Sequence, residues 1–324
     1  MIRVSFASKH KGTGPFRQNF HDTQVQFGGS EVFADPHWLV IFDEPPPGFV
    51  TRVPHARRIV MLTEPPEIKT YRRRFLEQFG VAIAPMPISG FSGTVIRSHA
   101  ALPWFYGTET LDGLRAMLPP PKTNAVSVVI TRKTKTPQHR ARLRFVEQLQ
   151  RRVGDRLQIH GVGFHIVDNK REAIDPVKYH LALENNVHEH FWTEKIADAY
   201  LGWSLPLYSG CPNMADYVPA DSFLRLELSD LSASLDVVER CLDDDPYDSR
   251  LPAITIARNR LLDEHNIFAL LQRIVLALAP GAQAGPLAKP VPLLSNGAFK
   301  VGAILSRQAR AVMSHRNSGA QEQR

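Results

Sequence analysis

Residues Tyr179–Gly210 read YHLALENNVHEHFWTEKIADAYLGWSLPLYSG, and they compress a strand, a polar turn and a helix start into one unit. Tyr179 to Leu183 is a short apolar run of the kind that forms a buried strand, and it stops abruptly at Glu184, Asn185 and Asn186. After a turn rich in titratable side chains (His188, Glu189, His190), Thr193 is placed to cap a helix. The apolar positions Ile196, Ala199, Tyr200 and Trp203 keep helical spacing, with Glu194 and Lys195 in the first turn. In α/β sheets ligands gather beyond the carboxyl ends of strands, and the free N–H groups of a helix start favour phosphate. The unit therefore reads as a ligand-binding edge to which Lys195 adds a full positive charge.

The surrounding chain supports a parallel sheet. Between residues 36 and 120 the apolar runs Trp38–Phe42, Arg58–Leu62 and Val81–Ala84 alternate with polar or helical pieces, the rhythm of strands joined by crossovers. Met117–Asn124 holds three consecutive prolines, which stop helix and central strand alike, and is the expected linker. Val126–Thr131 then reads as a strand, His139–Val153 as a helix and Leu157–Val162 as a strand. The expectation is α/β, with two Rossmann-like domains facing a cleft: residues 1–120, residues 121–290, and a C-terminal segment, 291–324. From Ser306 onward that segment is polar and basic, so a flexible tail with weak peripheral membrane contact is expected.

With 324 residues and 43% hydrophobic composition, the chain exceeds a single small module. Two cysteines, Cys211 and Cys241, give no disulfide framework beyond one bridge, so a reducing compartment is the easier reading. The opening residues lack the apolar core of a signal peptide, and no run of roughly eighteen apolar residues occurs. A soluble, cytoplasmic protein is expected, peripheral at most to the inner membrane face. The net charge of +7 is compatible with nucleic acid, an anionic membrane or an anionic small ligand. The arginines are scattered, without aromatic-studded basic repeats or zinc-finger spacing, so a nucleic-acid partner is not expected.

Arg142 precedes Phe145, Val146 and Leu149 by three, four and seven residues, which puts it on the apolar stripe of its helix. A guanidinium pointing into a cleft from there can grip a pyrophosphate bidentately; its other reading is a stem packed at the core edge with its head in water. Lys195 opposes the helix dipole unless an anion is bound, or else is an ordinary surface lysine. His188 and His190, with Glu189, lack a third ligand at a recognisable distance, so no metal is expected. Asp243–Asp245 before Pro246 reads as a solvated turn.

Leu183-Glu184-Asn185, seven residues, Thr193-Glu194-Lys195, and then Leu205-Pro206-Leu207-Tyr208-Ser209-Gly210 resemble the donor-binding motif of the family 10 glycosyltransferases, the α-1,3/1,4-fucosyltransferases. Pro212-Asn213 and Asp216 to Phe223 continue the likeness, and Leu183 replaces the usual phenylalanine. The resemblance implies a GT-B fold, GDP-fucose as donor, a glycan as acceptor, and no metal or other cofactor. It places Arg142 and Lys195 on the donor phosphates and Glu194 on ribose or sugar hydroxyls, although Glu194 would also favour the helix start by charge alone. Glu184 and Asn185 either bond the donor or hold the turn, Thr193 belongs to the motif, and Phe191 stands where a tyrosine often lies near the nucleotide. Inverting transfer needs a base for the acceptor hydroxyl. Thr63-Glu64-Pro65-Pro66-Glu67 resembles the element proposed to carry it, and Glu64 at the strand end fits best, with Glu67, Asp43 and Glu44 also open. His99 and the aromatics of Leu102–Gly107 either line the acceptor groove or belong to the core. The membrane anchor of eukaryotic members is not evident, so a bacterial type is expected. The reading is an inverting transferase moving fucose from GDP-fucose to a glycan hydroxyl; the alternatives are another nucleotide sugar, or a non-catalytic basic protein that binds nucleic acid or an anionic surface.

Overall fold

A computed structural model describes residues 1–10, 24–29, 32–101, 103–107, 109–278 and 287–297. The basic tail from Ser306 lies outside the described residues. In the first half, β1 (Ile2–Ala7), β2 (Val25–Gly29) and β3 (Trp38–Phe42) are followed by a two-residue strand, β4 (Val50–Thr51), and then by β5 (Arg58–Met61), β6 (Val81–Ala84) and β7 (Thr94–Arg97). All but β4 form one parallel sheet in the order β2-β1-β3-β5-β6-β7. Every residue of β3, β5 and β6 is buried, as expected for parallel strands covered on both faces.

The second half repeats the plan. β8 (Thr123–Val129), β9 (Leu157–His160), β10 (Val177–Leu183), β11 (Leu205–Ser209) and β12 (Leu224–Arg225) form a parallel sheet in the order β12-β11-β10-β8-β9. In each sheet the second strand lies outside the first, and the winding reverses between the first and third strands. Such reversals open a crevice beyond the strand ends, here between β1 and β3 and between β8 and β10. The two sheets are the paired Rossmann-like units of a GT-B architecture.

The chain crosses between the units on both sides of the proline linker. Phe105 N–H donates to Asp198 Oδ1 at 2.9 Å and Tyr106 to Asp175 at 2.5 Å, so the segment before the linker packs on the second unit. Conversely, β13 (Val291–Pro292) pairs antiparallel with β4, and Leu293 is buried in the core of the first unit. Across the cleft the rings of Phe27 and Phe268 lie 5.1 Å apart, and His99 stacks on Trp192 at 4.4 Å. Among the described residues no helix is long and apolar enough to cross a membrane.

Candidate active site

The crevice between β8 and β10 is a cavity of about 280 Å³ walled by Val129, Ile130, Thr131, Lys133, His139, Arg142, Lys170, Asn185, Glu194 and Lys195. Four cations thus face one carboxylate. Thr136 caps the helix Pro137–Val153, with Pro137 at its first position and His139 completing the capping box, so the helix begins at the cavity rim. Arg142, 6% exposed, projects from its buried face and donates from Nη1 to Asn185 Oδ1, while its buried Nε has no hydrogen-bond partner among the described residues. Burial pulls the guanidinium pKa down, and Glu184 and Glu194 oppose that pull. Burial lowers the pKa of His139, and Arg142, Lys133, Lys135 and Lys195 push it further in the same direction, a mark of positive potential in the cavity.

On the other wall, β10 ends at Glu184, which is fully buried. Its carboxylate accepts from the Thr193 N–H at 2.8 Å and from Thr193 Oγ1 at 2.9 Å, and Lys195 Nζ lies 3.2 Å away. Glu184 therefore ties the strand end to the cap of the helix Glu194–Leu201, behind the cavity wall. Gly210 permits this, because a Cβ there would fall 2.4 Å from Glu184 Cγ and 2.6 Å from Tyr208 Oη. Burial disfavours the Lys195 ammonium, yet Glu184 and Glu194 hold its pKa above the ordinary lysine value. Burial likewise opposes the Glu194 carboxylate, but Lys195 and Lys170 lower its pKa to about 2. Lys170 Nζ also meets Asp198 at 2.6 Å. Phe191 is buried and does not line the cavity.

In the first unit, the crevice between β1 and β3 gathers carboxylates. Asp43, 2% exposed, accepts from Lys69 Nζ at 2.6 Å and Tyr71 Oη at 2.6 Å and lies 2.8 Å from His10 Nε2. Glu44 accepts from Lys9 at 2.7 Å and Lys69 at 2.5 Å. Burial would raise both carboxyl pKa values, but these partners lower them. Glu64 differs. Among the described residues its carboxylate has no hydrogen-bond partner, and burial, followed by the charge of Asp43, raises its pKa against the opposing pull of Lys69, His10 and Lys195. That Lys195 acts on Glu64 brings the two walls together electrostatically. Glu64 also borders a second cavity of about 300 Å³ with Leu62, Lys69, Tyr71, Met86 and Ile88. Glu67 is exposed and lies 2.9 Å from His188 across the cleft. His99 is buried against Trp192, Tyr217 and His265 and is part of the interface core.

The structure thus brings Arg142, Asn185, Glu194 and Lys195 to one cavity, with Glu184 and Thr193 directly behind. It adds Lys133, His139 and Lys170. The basic run Arg132–Lys135 after β8 marks the first of these in the sequence, whereas Lys170 follows no strand motif and is recognisable only in space. Among the described residues no group of three His, Cys, Asp or Glu side chains is placed to hold a metal ion.

The family model described as "Glycosyltransferase family 10 (fucosyltransferase) C-term" matches residues 119–244. A bovine 4-galactosyl-N-acetylglucosaminide 3-alpha-L-fucosyltransferase 9 is 32% identical over 94 residues, which cover 28% of this chain and 26% of that protein. The alpha-(1,3)-fucosyltransferase FucT of Helicobacter pylori is 37% identical over 60 residues, covering 18% of this chain and 13% of the relative. This chain is also similar to a crystal structure of an α1,3-fucosyltransferase with GDP, over 88% of this chain and 93% of that one, at 14% identity and a TM-score of 0.49. The sheet that follows the proline linker, with Arg142, Glu184 and Lys195, falls within the residues 119–244 that this family model matches.

Proposed function

We propose that the protein is an inverting fucosyltransferase that moves fucose from GDP-fucose to a glycan hydroxyl, in the manner of the α-1,3-specific relatives. One observation carries the reading: the strand-end cavity within the matched residues is walled by Lys133, Arg142, Lys170 and Lys195, and Lys195 acts electrostatically on Glu64, whose carboxylate has no hydrogen-bond partner among the described residues. The cations suit the diphosphate of the donor, whose negative charge grows as the bond to the sugar breaks. Glu194, held ionised by Lys195 and Lys170, is suited to accept hydrogen bonds from hydroxyls. In transfer, Glu64 takes the acceptor hydroxyl proton as that oxygen attacks the anomeric carbon from the face opposite the phosphate. The carbon–oxygen bond to GDP then breaks, its electron pair leaves with GDP, and the configuration inverts. Glu184 and Thr193 act through Lys195 by fixing it in the cavity wall. Charge on the leaving diphosphate is met by fixed side chains, and the proposal includes catalysis without added metal and a cytoplasmic location, which cell fractionation checks.

The test is calorimetric titration with GDP, GDP-fucose, UDP and CDP in EDTA, together with transfer from GDP-fucose to a 4-galactosyl-N-acetylglucosaminide. Selective micromolar binding of the guanine nucleotides and formation of a fucosylated product are expected. Equal affinity for UDP would reassign the donor. Indifference to every nucleotide by folded protein, with salt-sensitive polyanion binding instead, would overturn the enzyme reading.

A further inference from the structure

The polypeptide that leaves the donor-binding unit returns to the first unit and ends its described course on the network behind Glu64. β13 and Leu293 fix that return against β4 and the core, and the next buried polar residue is Asn296, 8% exposed. Its side chain accepts from the Arg72 N–H at 2.9 Å and donates to the Thr70 carbonyl at 2.9 Å, gripping the backbone on both sides of Tyr71. Its own N–H donates to Glu44 Oε2 at 3.1 Å. The Tyr71 hydroxyl in turn donates to Asp43 at 2.6 Å and accepts from the N–H groups of Thr63 and Glu64 at 3.2 and 3.3 Å. Lys69, two residues from Tyr71, is held by Asp43 and Glu44 and so is kept from pairing with Glu64. An asparagine suits this place because one short side chain supplies both a donor and an acceptor.

We propose that Asn296 is a positioning residue for Glu64: acting through Tyr71 and Lys69, it keeps the carboxylate aimed and unpaired. The inference rests on Glu64 being the proton acceptor. The charged groups acting on Glu64 are Asp43, Lys69, His10 and Lys195, and Asn296 governs the loop that carries Lys69. The experiment is the fucosyl transfer assay on N296A across pH, with GDP titration and thermal melting alongside. Turnover is expected to fall roughly tenfold, the scale of a modest misplacement of a reacting group. GDP affinity should stay within about twofold, and the acid limb of turnover should move to lower pH as Lys69 becomes free to pair with Glu64. Leu294→Ala, on the same return segment but outside the clamp, is expected to leave turnover unchanged. Tyr71→Phe, which removes only the hydroxyl that holds the Glu64 backbone, should reproduce the loss of turnover with GDP affinity kept and serves if N296A does not fold. Turnover within twofold of wild type in N296A and Tyr71→Phe, an unmoved acid limb in N296A, or an equal loss of GDP binding would overturn the proposal. E64Q run in parallel separates the two levels: E64Q at wild-type turnover removes the base reading and this inference together, whereas an inactive E64Q beside a normal N296A overturns this inference alone.

Discussion

Lys195 lies 3.2 Å from Glu184 and 3.3 Å from Glu194, a spacing that keeps one ammonium charged at the wall of a cavity. Two carboxylates against one lysine leave the immediate cluster negative, and Arg142 and Lys170 restore the positive balance that an anionic donor needs. Lys195→Ala and Arg142→Ala should therefore each lower turnover by roughly a hundredfold, the scale of losing one aimed donor to a developing charge, as read in the transfer assay. Arg142→Lys should recover little, since an ammonium cannot reproduce a forked contact. Glu64 makes the pH prediction. Its folded-state pKa is raised, so the base form is lost on acidification at a pH above the 4.5 of an ordinary glutamate. Asp43→Asn removes a neighbouring negative charge and one of the two carboxylates that hold Lys69, and both changes stabilise ionised Glu64. The acid limb of kcat should accordingly move to lower pH in that variant.

The unit β10, turn, helix start and β11 works as one element because Glu184 closes it from within. Gly210 is the residue that admits Glu184, so Gly210→Ala should displace the carboxylate, loosen the Thr193 cap and weaken GDP binding along with stability. Wild-type GDP affinity and an unchanged melting temperature in that variant would show that the packing tolerates the methyl group. Glu194 supplies a linkage test at the same scale. Its pKa falls from 4.5 unfolded to about 2 folded, so its contribution is present above pH 4.5 and is lost as pH falls toward about 2. Glu194→Gln should thus melt below wild type at neutral pH, with a stability deficit of about 2 kcal/mol. That gap should close on acidification through this window, and a constant gap in melts across pH would contradict the assignment.

At the scale of the whole molecule, two sheets with the same winding order each open a crevice where that order reverses, one walled by cations and one gathering carboxylates. The chain fastens the units by crossing twice, through Phe105 and Tyr106 in one direction and through Leu293 and Asn296 in the other. Phe268, 1% exposed and 5.1 Å from Phe27, packs between the two units. Phe268→Ala should cost about 3–4 kcal/mol in denaturant unfolding, the usual range for a buried ring. It should also separate the unfolding of the two units, so that a single unaltered transition would show this contact to be dispensable. The exposed pair Glu67–His188, by contrast, should contribute well under about 1 kcal/mol.

Local chemistry made part of this protein legible without coordinates. A strand ending in Glu184, a cap at Thr193 and Lys195 in the first turn depend on neighbours a few residues apart, and the structure places those groups together as the pattern implies. The apolar stripe through Phe145, Val146 and Leu149 likewise fixed the face from which Arg142 projects. Other features depend on distance in space. Lys170 meets Glu194 and Asp198 only because β8, β9 and β10 stack side by side, and nothing near it in the chain marks it. Glu64, Asp43 and Glu44 look alike in the sequence, each a carboxylate beside a strand end or a proline. Tertiary structure separates them, since Lys9, Lys69, Tyr71 and His10 occupy two of the three and, among the described residues, leave the Glu64 carboxylate without a hydrogen-bond partner. The role of Asn296 is the extreme case, a contact across 224 residues to Arg72 that arises from the path of the returning chain, and chain path is set by packing of whole elements rather than by any local motif.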